Sequence, residues 1–485
     1  MKDFHYIEIA NRIEAMINND TYPLGEKLPS LRAVSEHFNV SVGTSLKAYS
    51  LLIDKGLLAS REKSGYVPLR KSMGHTAQPV ATSAAPAIRE VSVSRIISKM
   101  PVDAGPHPPG FISFFNASLE THMVPFNAVR RSLQKASRDL TGAHLQYEST
   151  MGNLLLREQI ARLSFYWNGS LSANDILVTN GTLEALSLSL RAVTSPGDAV
   201  VVESPCYYGI LQCLEQLKLK VIELPCDAEE GIDIRQLEKI VDTYDIAACL
   251  FISNFNNPNG VVLSDEKKKW IAELAWKRQL PVIEDDVYGE LYFGPSRPTT
   301  IKTYDKHGWV MLCASFSKTV ASGFRIGWCA PGRFIEKVAQ LKATTNVATA
   351  SVLQLSLADL LTSGTYQRHL RKLRPMLHKQ VLLTTQYIEQ YFPSGIRISQ
   401  PDGGMVLWVE LPKQVDALKL QKLALEHHIN IAPGPLFSST GGYRNYIRIS
   451  CNKHWNRQVE QAIRKLGNLI KNTWSQGFSP CEQMD

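Results

Sequence analysis

The chain has 485 residues, 44% of them hydrophobic and 20% charged, with a formal net charge of +8. That length suggests about two to four domains. No apolar run approaches the ~20 residues of a membrane-spanning helix, and the opening MKDFHYIEIANRIEAMINND has no signal-peptide core, so a cytoplasmic protein is expected. The eight cysteines form no CxxC pair, which points away from a zinc site or a disulfide framework, and no metal is expected.

Residues 1–70 read as three helices and a hairpin. Ile9, Ile13, Met16 and Ile17 mark the apolar face of the first helix. GEKLPS is a turn in which Ser30 caps the helix opening LRAVSEHF. A third helix lies in NVSVGTSLKAYSLLIDKG, with Leu46, Tyr49, Leu52 and Ile53 on one side and Gly56 at its end. Two short strands then flank Glu62, Lys63, Ser64 and Gly65. Two helices across a short turn, plus a hairpin, make a winged helix-turn-helix.

Such a motif lays the N-terminal end of its second helix in the DNA major groove. That end carries Ser41, Gly43, Thr44 and Ser45, with Lys47 one turn on, and small hydroxyl residues approach phosphates closely. Lys63, beside Gly65 at the wing tip, is placed to reach the backbone or the minor groove. Charge alone makes no case for nucleic acid, because residues 1–70 hold nine Lys/Arg against eight Asp/Glu. On pattern alone, DNA binding and protein docking both stand.

GEKLPSLRAVSEHFNVSVGTSLKAYSLLIDKGLLASREKSGYV resembles the DNA-binding domain of GntR-type bacterial regulators. The resemblance implies that Arg32 contacts phosphate or base and that Ser41 and Thr44 open the recognition helix. Those regulators often carry arginine just after the VS pair, where this chain has Val42. Arginine reads guanine with two hydrogen bonds, whereas valine packs or touches a thymine methyl.

Residues 71–109 are rich in Ala, Ser and Pro and read as a linker, with a short helix around VSRIISKM. From residue 110 to about 475 helical stretches alternate with short β-rich runs, an α/β pattern. DILVTNGTLEAL reads as strand, glycine turn and helix, with an anion site at the helix start near Gly181 and Thr182. Further strands end at Pro205 and Tyr207, at Asn257, at Asp285 with Tyr288 beyond, and at Ser315, Ser317 and Lys318. Polar residues at successive strand ends are where ligands sit in open α/β sheets.

Taken singly these residues are ordinary: an Asn-Pro is a turn and a lone lysine a surface residue. Together they suit a phosphorylated, aromatic, nitrogen-containing aldehyde. Lys318 forms an imine with the carbonyl. Asp285 keeps the ring nitrogen protonated. Asn257 and Tyr288 reach the ring hydroxyl, Tyr207 offers a ring face, and Gly181, Thr182, Ser315, Ser317 and Arg325 cradle the phosphate.

The segments, in this order, resemble fold-type I aminotransferases, which use pyridoxal 5′-phosphate. SFSK followed by GFRIG matches the cofactor-lysine motif, and DDVY, NPNG and PCY match the flanking ones. The resemblance implies a large and a small domain and a Schiff base on Lys318. It also implies that Tyr147, in LQYESTMG, reaches the phosphate in the neighbouring subunit, and that Arg448, in YIRIS, grips an amino acid α-carboxylate. The family often has glutamine where this chain has Leu183, a position whose backbone N–H still serves the phosphate.

A GntR-type winged helix, a linker and an aminotransferase-like domain together resemble the MocR subfamily of bacterial transcriptional regulators. The resemblance implies a homodimer, of which head-to-tail is one arrangement, that binds an operator and senses pyridoxal 5′-phosphate, or an amine or amino acid effector, through the Schiff base on Lys318. The other reading is a working aminotransferase with an appended DNA-binding domain. His122, His144 and Tyr208 are candidates to shape the effector side.

Overall fold

A computed structural model describes residues 5–19, 21–22, 26–54, 57–61, 65–68, 77–79, 86–98 and 110–476. At the amino end the helices are His5–Asn18, Leu31–His37 and Val42–Asp54, followed by an antiparallel hairpin of Leu58–Arg61 with Gly65–Pro68. Ser30 caps the second helix, accepting from the Ala33 N–H at 3.2 Å. Ile9, Ile13 and Ile17 are buried against Val34, Tyr49 and Leu52.

Leu46, expected on the apolar face of the third helix, is instead 47% exposed. The buried stripe is Ser45, Ala48, Tyr49 and Leu52, spaced i, i+3, i+4, i+7. Ser45 and Ala48 are small, so the helix turns that side inward and comes close to the first helix. The Tyr49 phenol fixes this rotation by donating to the Pro29 carbonyl at 2.7 Å. Gly56 lies outside the described residues.

Part of the expected linker joins the next domain. Arg89–Glu90 pairs antiparallel with the strand Lys220–Asp227, Ser94–Ile97 is helical, and Val91 and Val93 are buried between them.

The large domain is built on a nine-stranded sheet. Five strands run parallel side by side: Lys220–Asp227, Ala199–Ser204, Ile246–Phe251, Val282–Asp285 and Val310–Ser315. Gly327–Ala330 is antiparallel to its two neighbours, Val310–Ser315 and Leu177–Thr179. The central strands are buried on both faces, so they read as continuous Val, Ile, Leu and Cys runs rather than alternating ones. Helices Thr182–Val193, Tyr208–Gln216 and Asp265–Arg278 connect or cover them.

A smaller antiparallel sheet follows, in the order Arg397–Ile398, Val406–Glu410, Tyr446–Ser450, Ala432–Pro433. The helix Thr365–Tyr391 serves both domains. Tyr366, Leu370, Leu373 and Leu377 pack in a core cluster of the large domain, and Val381, Tyr387 and Ile388 in that of the small domain. Pro375 lies inside this helix. No helix among the described residues is long and apolar enough to cross a membrane.

Candidate functional site

One cavity gathers the chemistry at the C-terminal ends of the parallel strands. It is lined by Thr182, Leu183, Tyr207, Asn257, Asp285, Tyr288, Ser315, Ser317, Lys318, Arg325 and Arg448, all singled out from the sequence. Parallel strands aim their ends at one edge, so residues far apart in the chain become neighbours across a few ångströms.

Lys318 follows the strand Val310–Ser315 by three residues, and its Nζ donates to the Ala117 carbonyl at 2.5 Å. Its pKa is pushed down to about 8, first by burial and then by the Arg448 charge, with Asp285 opposing. Asp285 ends the strand Val282–Asp285 and is buried. Burial pushes its carboxyl up to about 7, while the Val287 N–H at 3.1 Å and the Lys318 charge pull the other way. Tyr288 is fully buried, and Tyr207 stands 4.7 Å from Tyr208, ring centroid to centroid; burial raises both Tyr207 and Tyr288 phenols.

The helix Thr182–Val193 starts at Gly181, whose φ is +94°. A Cβ there would lie 2.5 Å from the Arg325 guanidinium, and one on Gly327 would lie 2.5 Å from the Gly181 backbone. Glycine at both positions is therefore what lets Arg325 close over the helix start. Arg325 is itself left-handed, with φ 53°, and donates to the Asn180 carbonyl at 3.2 Å. The Thr182 hydroxyl is buried without a partner among the described residues. Free N–H groups, an unpartnered hydroxyl, two serines and a guanidinium make a cup for a dianion.

Arg448 sits in the middle of the small-domain sheet, opposite Trp408 and Ala432, and is 1% exposed. Its guanidinium meets the Phe115 carbonyl, the Asn257 side chain at 3.4 Å and the Phe437 ring face at 5.5 Å, and its Nε has no partner among the described residues. Among the described residues no carboxylate is paired with it, so a buried guanidinium is left without a counter-charge.

Asn116, Ala117 and Ser118 also line the cavity. Their backbone is strapped across it by Asn452, whose amide donates to Asn116 and Ser118 carbonyls at 3.0 and 2.6 Å. They carry no motif, and only the topology could have found them. Tyr208 is in the lining, but His122 and His144 are not. His122 stacks edge-on against His454, and His144 bonds Thr141. Tyr147 is 87% exposed and outside the cavity of its own chain.

At the amino end Ser41 caps the third helix, its hydroxyl accepting from the Thr44 N–H at 3.1 Å and lying 2.9 Å from the Thr44 hydroxyl. Arg32, Ser41, Val42 and Lys47 are exposed, and Gly65 opens the second strand of the hairpin with φ +93°. Lys63 lies outside the described residues.

Comparison with known proteins finds two family matches. Residues 116–466 match the family Aminotransferase class I and II, and residues 5–67 match the bacterial regulatory proteins of the gntR family. An uncharacterized HTH-type transcriptional regulator of Escherichia coli K12, YdcR, is 36% identical over 96% of this chain and 99% of its own length. Aromatic-amino-acid aminotransferase 1 of Thermococcus litoralis is 28% identical over 67% of this chain and 80% of its own. Among solved structures, the α-aminoadipate aminotransferase LysN from Thermus thermophilus, complexed with N-(5′-phosphopyridoxyl)-L-leucine, superposes with a TM-score of 0.71. It is 26% identical and covers 79% of this chain and 96% of that one.

Proposed function

Because the chain belongs to the aminotransferase class I and II family and carries a gntR-family region at its amino end, the arrangement of MocR regulators, we propose that this transcription regulator senses pyridoxal 5′-phosphate and an amine or amino acid effector. The observation that carries the reading is the convergence of Lys318, Asp285 and Arg448 in one cavity of a chain that also has a DNA-reading head.

The residues fit pyridoxal 5′-phosphate. The unpartnered Thr182 hydroxyl, the helix start at Gly181 and Leu183, Ser315, Ser317 and Arg325 suit its phosphate. When bound, the cofactor supplies an aldehyde that captures amines and a ring that withdraws electrons. Lys318, with its basicity lowered, offers a neutral amine near physiological pH. Asp285 would hold a proton at the ring nitrogen, and a cation there would draw its pKa back down. Tyr207 would offer its face to the ring, and Asn257 and Tyr288 would hold the ring hydroxyl. Arg448 takes the effector carboxylate through charge-assisted hydrogen bonds.

The protein is a cytoplasmic homodimer in this reading, with the heads set head-to-tail. Tyr147, Leu145, Leu154 and Leu155, close together in the sequence, are exposed apolar side chains that a second copy would cover. In the dimer Tyr147 reaches the partner's phosphate cup. Arg32, Ser41, Thr44, Lys47, Lys63 and Gly65 form the DNA face, and paired heads match paired half-sites. Effector occupancy shifts the dimer between arrangements that differ in DNA affinity.

A second reading, a working aminotransferase, is kept by one observation: Lys318, Asp285, Tyr288 and Arg448 all line the cavity. The test is to follow DNA affinity and cofactor absorbance together while candidate amines are added. A change in affinity without turnover supports sensing. Rapid conversion of cofactor to its amine form, with affinity unmoved, supports the enzyme.

A further inference from the structure

The net charge of +8 is not explained by the DNA-reading head, where residues 1–70 carry nine basic and eight acidic residues. It concentrates elsewhere. The helix Phe126–Arg138 and residues 365–388 of the helix Thr365–Tyr391 together hold nine Lys/Arg and no Asp/Glu. A surface shaped only for solubility intersperses the two signs. Here like charges repeat on single helix faces, where i, i+3 and i, i+4 neighbours repel.

These two helices flank one groove on the large domain. It consists of two adjoining hollows that share Ala128 and Thr365. Arg131, Lys135 and Arg138 line one side at i, i+4 and i+7; Arg368, Arg371 and Lys372 line the other at i, i+3 and i+4. All six are exposed. Lys135 pairs with Asp359 at 2.6 Å, which neutralises that carboxylate. Arg368 donates to the Ser363 carbonyl and the Thr365 hydroxyl, and neither carries charge. Among the described residues the other five have no carboxylate partner within ion-pair distance. Asp139, one residue past the first helix, is the remaining acid near its end.

We propose that this groove is a second DNA-contacting surface, holding the phosphate backbone of duplex that runs on past the segment read by the amino-terminal helices. Charge complementarity selects the occupant. Two basic stripes facing across a groove meet a polyanion with one negative charge per ~1.7 Å of axis. The contact is to phosphates and carries no sequence preference. The inference rests on the DNA-binding reading of the head, and the two are separated by duplex length.

The full-length protein loaded with cofactor is compared with the variant R131Q/R138Q/R371Q/K372Q on random-sequence duplexes of about 16 and about 60 base pairs, across a salt series. Retained cofactor absorbance and an unchanged melting temperature show that the variant folds. On the long duplex the slope of log affinity against log salt falls by about three to four, and affinity at about 0.1 M salt falls at least thirtyfold. On the short duplex both stay as in the wild type. Unchanged affinity and slope on the long duplex overturn the proposal. So does an altered oligomeric state in sedimentation, which would make the groove a contact between copies. Loss of single-stranded RNA binding with duplex binding intact would also overturn it. Groove-dependent binding of the long duplex with no binding of the short one would support the groove and remove the head's role instead.

Discussion

Lys47 and Lys318 each follow a run of small hydroxyl residues, yet the fold treats them oppositely. Lys47 stands exposed in the helix Val42–Asp54, one turn past Gly43 and Thr44. Lys318 lines a cavity behind Ser315 and Ser317, where burial and Arg448 push its pKa down to about 8. The first environment leaves a charge in water, where a polyanion would meet it. The second removes water, which lowers the basicity of the amine. The difference teaches that the hydroxyl-and-lysine pattern has no fixed meaning. Burial of the element that carries it decides between the two.

The largest expected effect separates the two regions outright. Lys318→Ala loses the visible absorbance of covalently held cofactor and the response of DNA affinity to amines, while effector-free DNA affinity stays within about threefold. A large loss of DNA affinity in that variant would break the separation.

Next is Arg448→Gln. Removing charge-assisted bonds to a carboxylate weakens amino acid effectors about tenfold to a hundredfold, measured by half-saturation, and leaves amines that lack a carboxylate unchanged. Equal weakening of both kinds would move Arg448 out of the effector site.

Ser41→Asp sharpens the other region. It keeps a helix cap but sets a carboxylate at the phosphate-facing end, and DNA affinity falls by about tenfold or more, with cofactor absorbance untouched.

A pH series tests Lys318 again. The neutral amine is the reactive form, so capture of added cofactor by the cofactor-free protein quickens about tenfold per pH unit and levels off above about 8. Stability gives the smallest signal. Burial pushes Glu203, at the end of a central strand, from 4.5 up to about 8. The folded state thus holds a proton that the unfolded state has lost, and this group lowers stability as pH rises between those values. Glu203→Gln flattens that slope in denaturant titrations. An unchanged slope would place the proton elsewhere.

Much of the site was legible because its residues sit at strand ends with fixed local company: SFSK before GFRIG, Asp285 three residues before Tyr288, Asn257 before proline. The α/β core was legible from strands buried on both faces. Three things were not. Leu46 looked apolar and core-facing, but Ser45 and Ala48 take the buried stripe because small residues allow closer helix packing. Asn116 to Ser118 reach the cavity only through the strap held by Asn452 from the far end of the chain. The basic groove combines two helices more than 200 positions apart, so neither stretch alone displays it.

The central claim is that cofactor cavity and DNA face are energetically coupled, and reciprocity tests it most directly. DNA fragments selected from the organism's own genome are titrated with cofactor-loaded protein with and without effector, and the effector is titrated with and without that DNA. The account predicts that each ligand changes the other's affinity by the same factor, about fivefold or more, and that Lys318→Ala abolishes both changes. Factors of one in both directions, across every amine and amino acid that occupies the cavity, would contradict it.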